Sequence, residues 1–316
     1  MTGPTLNHTP RNGEIAKIKH HLIGMEIRIS VENQNIRFGC AGWSYKDWLG
    51  PLYDPEQSML QQYASIFDTV ELNSSFYRAP EEGTILGLTK YTKRGFMFSA
   101  KMNQKFTHDM RLRVAEETQD ELEQFVQLFD PLLTQDRLGC LLIQLPPSLK
   151  KNEKLLESFL AALPHRYEYV VEFRHPSWIN NSTWTILAKY EAAYCIVDEP
   201  LLPPELHVTS PIGYIRWHGH GDHPWYNYRY TNQQLEEWVP RVKEIAKNTK
   251  KTFGIFNNHF HGYAPENCLQ MMQTLGIARP NHEKALRRVH SYIERELAGL
   301  PPSGTLDQFT HSQNVK

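Results

Sequence analysis

The feature that most constrains this chain is a recurrence. Short apolar runs at residues 36–40, 69–73, 95–101, 138–145, 169–173, 193–197, 213–217 and 252–256 read as eight strands. Between them, helical periodicity runs over 59–67, 112–133, 155–163, 184–190, 233–246 and 264–275. Strand followed by helix, repeated, implies a parallel sheet. An open doubly wound sheet could also hold eight strands, so the strand ends decide the architecture. Seven of the eight runs stop at polar residues: Glu71 with Asn73, Lys101, Gln144, Glu172 with Arg174, Asp198, Arg216 with His218, and Asn257 with Asn258. The first run is followed at once by Trp43, Ser44 and Tyr45. Residues two apart on a strand share a face, so Glu71 and Asn73, Glu172 and Arg174, and Arg216 and His218 can each point the same way. An open sheet gathers its ligand groups at one switch point, whereas a barrel collects them from nearly every strand end. The expected fold is α/β: a (β/α)8 TIM-type barrel in a single domain, its site at the C-terminal ends of the strands.

Charge and composition narrow the function classes. With 34 Lys plus Arg against 35 Asp plus Glu, the formal net charge is −1, so no global positive field draws the chain to nucleic acid or acidic lipid. Cys40, Cys140, Cys195 and Cys268 lie far apart, without the C-x2-C spacing of a zinc site or redox pair. They read as small buried residues in a reducing compartment, and the expected location is cytoplasmic. No apolar stretch approaches the roughly 18–20 residues that cross a bilayer, and no secretion signal is evident at the N-terminus. Residues 1–34 are polar and read as a flexible tail in which Met25 is a candidate true start. Residues 299–316 read as a disordered extension, leaving 35–298 as the working domain.

Within that domain an ordered series of motifs stands out. Gly-x-x-Gly-Trp-Ser-Tyr-x-x-Trp spans 39–48, Thr-Val-Glu-Leu-Asn-x-x-Phe-Tyr-Arg spans 69–78, and Phe-x-Phe-x-x-Lys ends at Lys101, with Thr107-His108 beyond it. Gln144-Leu145-Pro146-Pro147-Ser148, Val171-Glu172-Phe173-Arg174-His175 with Trp178, Asp198-Glu199-Pro200, Arg216-Trp217-His218-Gly219 and Phe256-Asn257-Asn258 follow. In this order the segments resemble the family called domain of unknown function 72, or YecE-like, from Gly39 to about Gly276. The resemblance implies a TIM-type barrel and little chemistry. Trp217 stands where the family usually has an aliphatic residue, a departure that bears on the pocket wall.

The residues themselves suggest roles. Glu71, Glu172 and Asp198 could converge on a metal, with His108 or His218 completing the shell. Lys101, Arg174 and Arg216 stand at the same level, however, and three cations cancel three carboxylates. A self-satisfied network is therefore preferred, no metal ligand is assigned, and the cofactor is left unknown. Glu172 and His218 are the expected acid/base pair, with Glu71 and Asp198 as further catalytic candidates. Lys101, Arg216 and Arg174, with Asn73, Gln144 and Asn257, are the expected substrate-binding groups, since Arg and Lys suit a carboxylate or phosphate. Arg78 is an accessory cation.

The loop after the seventh strand carries His218, His220 and His223 with Trp225, Tyr226, Tyr228 and Tyr230, and is long enough for a lid. Tyr226, with Trp43, Tyr45 and Tyr77 from other loops, could stack on a sugar or base. Its His spacing brushes against a metal pattern that nothing in the sequence supports. His108, His175 and His259 read as structural. Phosphate-loop, dinucleotide and nucleophile-elbow signatures are missing from the sequence. Residues 278–297 read as a helix packed on the barrel, with a basic nucleic-acid contact as the alternative. The leading functional expectation is an enzyme of hydrolase, isomerase or lyase type acting on an anionic substrate. A nucleic-acid-processing barrel comes second, and a non-catalytic scaffold third.

Overall fold

The computed structural model describes residues 35–222 and 224–300. The tail expectations for 1–34 and 301–316, and the reading of Met25, lie outside the described residues. Eight parallel strands form a closed barrel in sequence order. They are β1 (Ile36–Ala41), β2 (Thr69–Leu72), β3 (Met97–Lys101), β4 (Leu138–Gln144), β5 (Tyr169–Glu172), β6 (Ala193–Asp198), β7 (Ile212–Trp217) and β8 (Lys251–Phe256). Closure runs from Ile36 opposite Thr252 to Cys40 opposite Phe256.

Helices cover the outside: α1 (Met59–Ile66), α2 (Ser74–Tyr77), α3 (Glu82–Lys90), α4 (Glu116–Gln127), α5 (Asp130–Leu133), α6 (Glu153–Ala162), α7 (Asn181–Lys189), α8 (Asn232–Lys247), α9 (Tyr263–Thr274) and α10 (Pro280–Leu297). The stretch expected as one helix over 112–133 is broken between α4 and α5, where Pro131 opens the second piece. The strand–helix alternation fails once. Between β6 and β7 the chain runs irregularly over 199–211, because Pro203 and Pro204 remove amide donors and disfavour helical conformation before them. Thr209 ties that segment back, its hydroxyl accepting from Tyr194 N at 2.9 Å and donating to Ala192 O at 2.7 Å.

Alternation along each strand sorts the core into two. Cys140 and Leu142, Cys195 and Val197, Ile212 and Tyr214, and Phe253 and Ile255 fill the barrel interior. Their neighbours Leu141 and Ile143, Tyr194 and Ile196, Ile215 and Trp217 face the helices. This period of two decides which residue at each strand end reaches the mouth. All four cysteines are free and buried. Along α10, His282, Ala285, Val289 and Ile293 are buried, while Arg279 pairs with Asp68 at 2.8 Å and Arg288 with Asp54 at 2.8 Å. The helix packs on the barrel as expected, and two of its basic groups are consumed in holding it there. Among the described residues no helix is long and apolar enough to cross a membrane.

The Gly-x-x-Gly motif has a steric cause at both ends. A Cβ on Gly39 would lie 2.1 Å from the carbonyl oxygen of Thr69, and Gly42 turns the chain out of β1 at φ +96°. Because the obstacle at Gly39 is backbone, it cannot swing aside. Gly39→Ala is expected to cost about 3 kcal/mol, toward the upper end of overpacking effects, as read by urea unfolding. A change under about 0.5 kcal/mol would show that the β1–β2 seam yields.

Candidate functional site

At the C-terminal mouth lies a cavity of about 470 Å³. It is lined by Tyr45, Asn73, Tyr77, Lys101, Gln144, Pro147, Arg174, Arg216, His218, Trp225, Tyr226, Asn257 and His259. Strand parity puts them there: Lys101 continues the inward series of β3, Gln144 that of β4, Arg216 and His218 that of β7, and Asn257 that of β8.

Beneath the cavity floor runs a chain of buried charges. Arg216, 1% exposed, donates through Nη2 to Glu71 Oε1 at 2.7 Å and through Nη1 to Glu172 Oε2, with Gln144 Oε1 at 3.5 Å. Glu71 also accepts from the Tyr214 hydroxyl at 2.8 Å. Arg174 donates from Nε to Glu172, from Nη1 to Glu199, and from Nη2 to His218 Nε2 at 3.0 Å. Burial alone would raise the Glu172 carboxyl, but Arg174 and Arg216 outweigh it and hold it well below the usual carboxylate range. Glu199 lies between these effects: burial lifts it to about 7 against the pull of Arg174.

His218 is neutral, its pKa pushed down to about 3 by burial and then by Arg174 and Arg216. Arg174 can only donate, so Nε2 accepts and the ring proton sits on Nδ1. The Asn257 side-chain amide lies 2.9 Å from Nδ1. Lys101 behaves differently. Among the described residues no acceptor or carboxylate is bonded to its Nζ, which lies 4.0 Å above the Phe76 ring. Burial, reinforced by Arg216, lowers its pKa to about 8.

One wall is aromatic. His259 stacks on Tyr45 at 4.5 Å and on Tyr226 at 5.4 Å, and Tyr45 is fixed by its hydroxyl, which donates to Ala41 O at 2.6 Å. Tyr77, 73% exposed, forms the rim. The loop carrying Trp225 and Tyr226 is pinned at both ends. Gly219 N donates to the Tyr230 hydroxyl at 2.9 Å, and Asn267 exchanges bonds of 3.0 Å with both Tyr230 N and Tyr230 O. Arg229 clamps its far end to Glu266 at 2.6 Å and to Glu294 at 2.7 Å.

Several sequence expectations change here. The expected binding groups line the cavity, all but Trp43, which the Gly42 turn sends toward the helices, where its carbonyl accepts from Tyr53 at 2.9 Å. Glu71 and Glu172 lie behind the lining, fully buried, and serve the two arginines; Glu172 is depressed rather than raised, contrary to its assignment as an acid. Asp198 is out of the cavity altogether. Its parity on β6 matches Tyr194 and Ile196, so it faces α8 and accepts from Trp238 Nε1 at 3.0 Å, with His220 at 2.7 Å on the other oxygen. The inward residue of that pair is Glu199, two beyond Val197, a choice that counting by twos would have made.

Trp217 is likewise outward, stacked on Phe256 at 4.6 Å, and takes no part in the pocket wall. Arg78 pairs with Glu81 at 3.6 Å in the open. His108 bonds Thr107 Oγ1 at 2.8 Å and His175 bonds Ser177 Oγ at 2.9 Å, both local contacts. His259, expected to be structural, is part of the cavity wall. Of the three loop histidines, His218 and His220 diverge and His223 lies outside the described residues. Among the described residues no three His, Cys, Asp or Glu side chains gather as a metal-ligand set.

Comparison with known proteins gives one answer. The model of the family described as "Protein of unknown function DUF72" matches residues 37–290. The UPF0759 protein YunF of Bacillus subtilis is 28% identical over 270 residues, 77% of this chain and 95% of that protein. The UPF0759 protein YecE of Escherichia coli is 31% identical over 146 residues, half of that protein and 45% of this one. A solved DUF72 family protein of Thermotoga maritima superposes with a TM-score of 0.67 at 27% identity, covering 76% of this chain and 99% of that one.

The network makes a strong demand on Glu172, which bridges both arginines at once. Glu172→Gln leaves them under-compensated in a buried setting and is expected to cost about 3–5 kcal/mol in urea unfolding. A loss below about 1 kcal/mol would mean that the arginines do not need it.

Proposed function

The chain belongs to the DUF72 family of proteins of unknown function, a premise that supplies a barrel and no reaction, and from its geometry we propose an enzyme acting on a small anionic substrate held at the barrel mouth. The observation that carries this reading is the partition of charge. Lys101, Arg174 and Arg216 line the cavity, and no carboxylate does so among the described residues. Glu71, Glu172 and Glu199 balance part of the cationic charge from behind, so a ligand meets guanidinium and ammonium groups first. Asn73, Gln144 and Asn257 add amides that fix orientation, and the volume suits a metabolite-sized molecule.

Proton transfer falls to Lys101 rather than to Glu172 or His218. Both His218 nitrogens are engaged and its proton affinity is depressed, while Glu172 stays ionised out of reach. Lys101 faces the cavity and exchanges its proton near neutrality. A polymeric nucleic-acid ligand is less well supported, because the wall rings stack on one another and the paired arginines of α10 hold that helix in place. A scaffold role would fit complete pairing of every mouth charge, and among the described residues Lys101 has no ion-pair partner.

A half-buried ammonium group with no ion-pair partner among the described residues also has a stability signature. In the unfolded chain lysine titrates near 10.4, so between about 8 and that value the unfolded state binds more protons and stability rises with pH. At neutral pH the charge is a net cost to the fold. Lys101→Met is therefore expected to raise Tm by roughly 2–6 °C, while abolishing the binding of inorganic phosphate or small carboxylates measured by calorimetry. In the native protein that binding weakens as pH rises through about 8. Anion affinity unaffected by Lys101→Met and flat across this range would refute the reading.

A further inference from the structure

The setting of Lys101 goes beyond holding a charge. A lysine that serves only to ion-pair sits against a carboxylate, yet Glu71 on β2, Glu172 on β5 and Glu199 just beyond β6 are all taken by Arg216 and Arg174. One side of the Lys101 amine is covered by the Phe76 ring, whose other contacts include the edge-on His108 ring at 4.9 Å. The base of the side chain is held as well, since Lys101 O accepts from Ser75 Oγ at 2.7 Å. The result is an anchored primary amine with an apolar flank, a cationic neighbour and an open cavity before it. Desolvation and a nearby cation are the two means by which a lysine is kept as a free nucleophile.

We infer that Lys101 condenses with the carbonyl group of a small anionic oxo compound, one carrying a carboxylate or a phosphate, to form a covalent iminium. The inference rests on the anion-site reading above, with Arg174 and Arg216 holding the anionic group and Lys101 meeting the adjacent carbonyl. In the step, the nitrogen lone pair attacks the carbonyl carbon and the C=O π electrons move to oxygen. That oxygen leaves as water with one proton from the amine and one from solvent. Nitrogen retains one hydrogen and the positive charge, so atoms and charge balance. The iminium then draws electrons from the neighbouring carbon, which opens lyase or isomerase chemistry without any further group on the protein changing oxidation state.

The groups that set the amine's protonation come from every side: Arg216 on β7, Arg174 and Glu172 at the end of β5, Glu71 on β2, and His108 beyond β3. Of these, Arg174 and Arg216 hold Glu172 well below the usual carboxylate range against its burial, and burial lowers His108, so neither changes charge alongside Lys101 near pH 8.

The test is borohydride trapping on the full chain with two probes, pyruvate and dihydroxyacetone phosphate, read by intact mass and peptide mapping. We expect one reduced adduct on Lys101, trapping that rises as pH passes through about 8, and no adduct in Lys101→Arg, which keeps the charge but lacks the primary amine. Whichever probe labels identifies the anionic group as carboxylate or phosphate. Lys101→Met, expected to be the more stable variant, serves as the second control should Lys101→Arg fold poorly. Labelling spread over exposed lysines such as Lys46, labelling that persists in Lys101→Arg, or no adduct with either probe overturns the inference. Anion binding by calorimetry on the same samples separates the two failures: binding without trapping removes the nucleophile alone, and no binding removes the anion site as well.

Discussion

Arg216 is the residue on which the rest of the mouth depends. It rises from β7 into the barrel centre and is bonded to groups from β2, β4 and β5, spanning the circle of strands from within. Taking a guanidinium and two carboxylates out of water is expensive, and an apolar plug of the same volume would often be at least as stable. What such a plug would not do is hold Glu172 and Glu71 down and away while leaving cations above them. Arg174 extends the same arrangement sideways to Glu199 and His218. The sum is a polar platform with its anions facing inward and its cations facing the cavity.

That platform explains why other groups at the mouth are inert. A histidine at a strand end ordinarily titrates in the physiological range, but His218 lies against Arg174 and gives up its basicity to the network. Glu172 is ionised through two arginines and has no proton to offer. Glu199 is different: burial lifts it to about 7, and its Oε1 is buried without a hydrogen-bond partner among the described residues.

The barrel was legible because its signal is repeated: eight apolar runs, polar ends, and helical periods between most of them. The same rule of two, carried strictly through each strand end, separates residues that were grouped together in the sequence. Asp198 was chosen for its charge at the end of an apolar run, yet its parity with Tyr194 and Ile196 faces it to Trp238, and Glu199 is the residue that turns in. Trp217 follows the same logic against Arg216 and His218. Other features were not legible because they depend on contacts across the sequence. The depression of Glu172 requires two arginines from different strands, and the place of His259 in the wall requires Tyr45 and Tyr226 to stack on it. The bare stretch between β6 and β7 was signalled by Pro203 and Pro204, and by the absence of any helical period over 199–211.

Among the charged groups that line the cavity in the described residues, Lys101 is the one whose position the network does not account for. Arg174 and Arg216 would be needed by Glu71, Glu172 and Glu199 whatever the cavity bound, and Asn73, Gln144 and Asn257 bond Ala41, Arg216 and His218 across the strand ends. Nothing in the described fold requires a cation at the end of β3, and burial makes one costly there. A leucine or methionine at this place would cover Phe76 and complete the wall at lower free energy. Polar strain that the fold does not itself use is the mark of a group kept for binding or reaction. Lys101 thus withholds free energy from the folded state that an anionic or carbonyl-bearing ligand would restore.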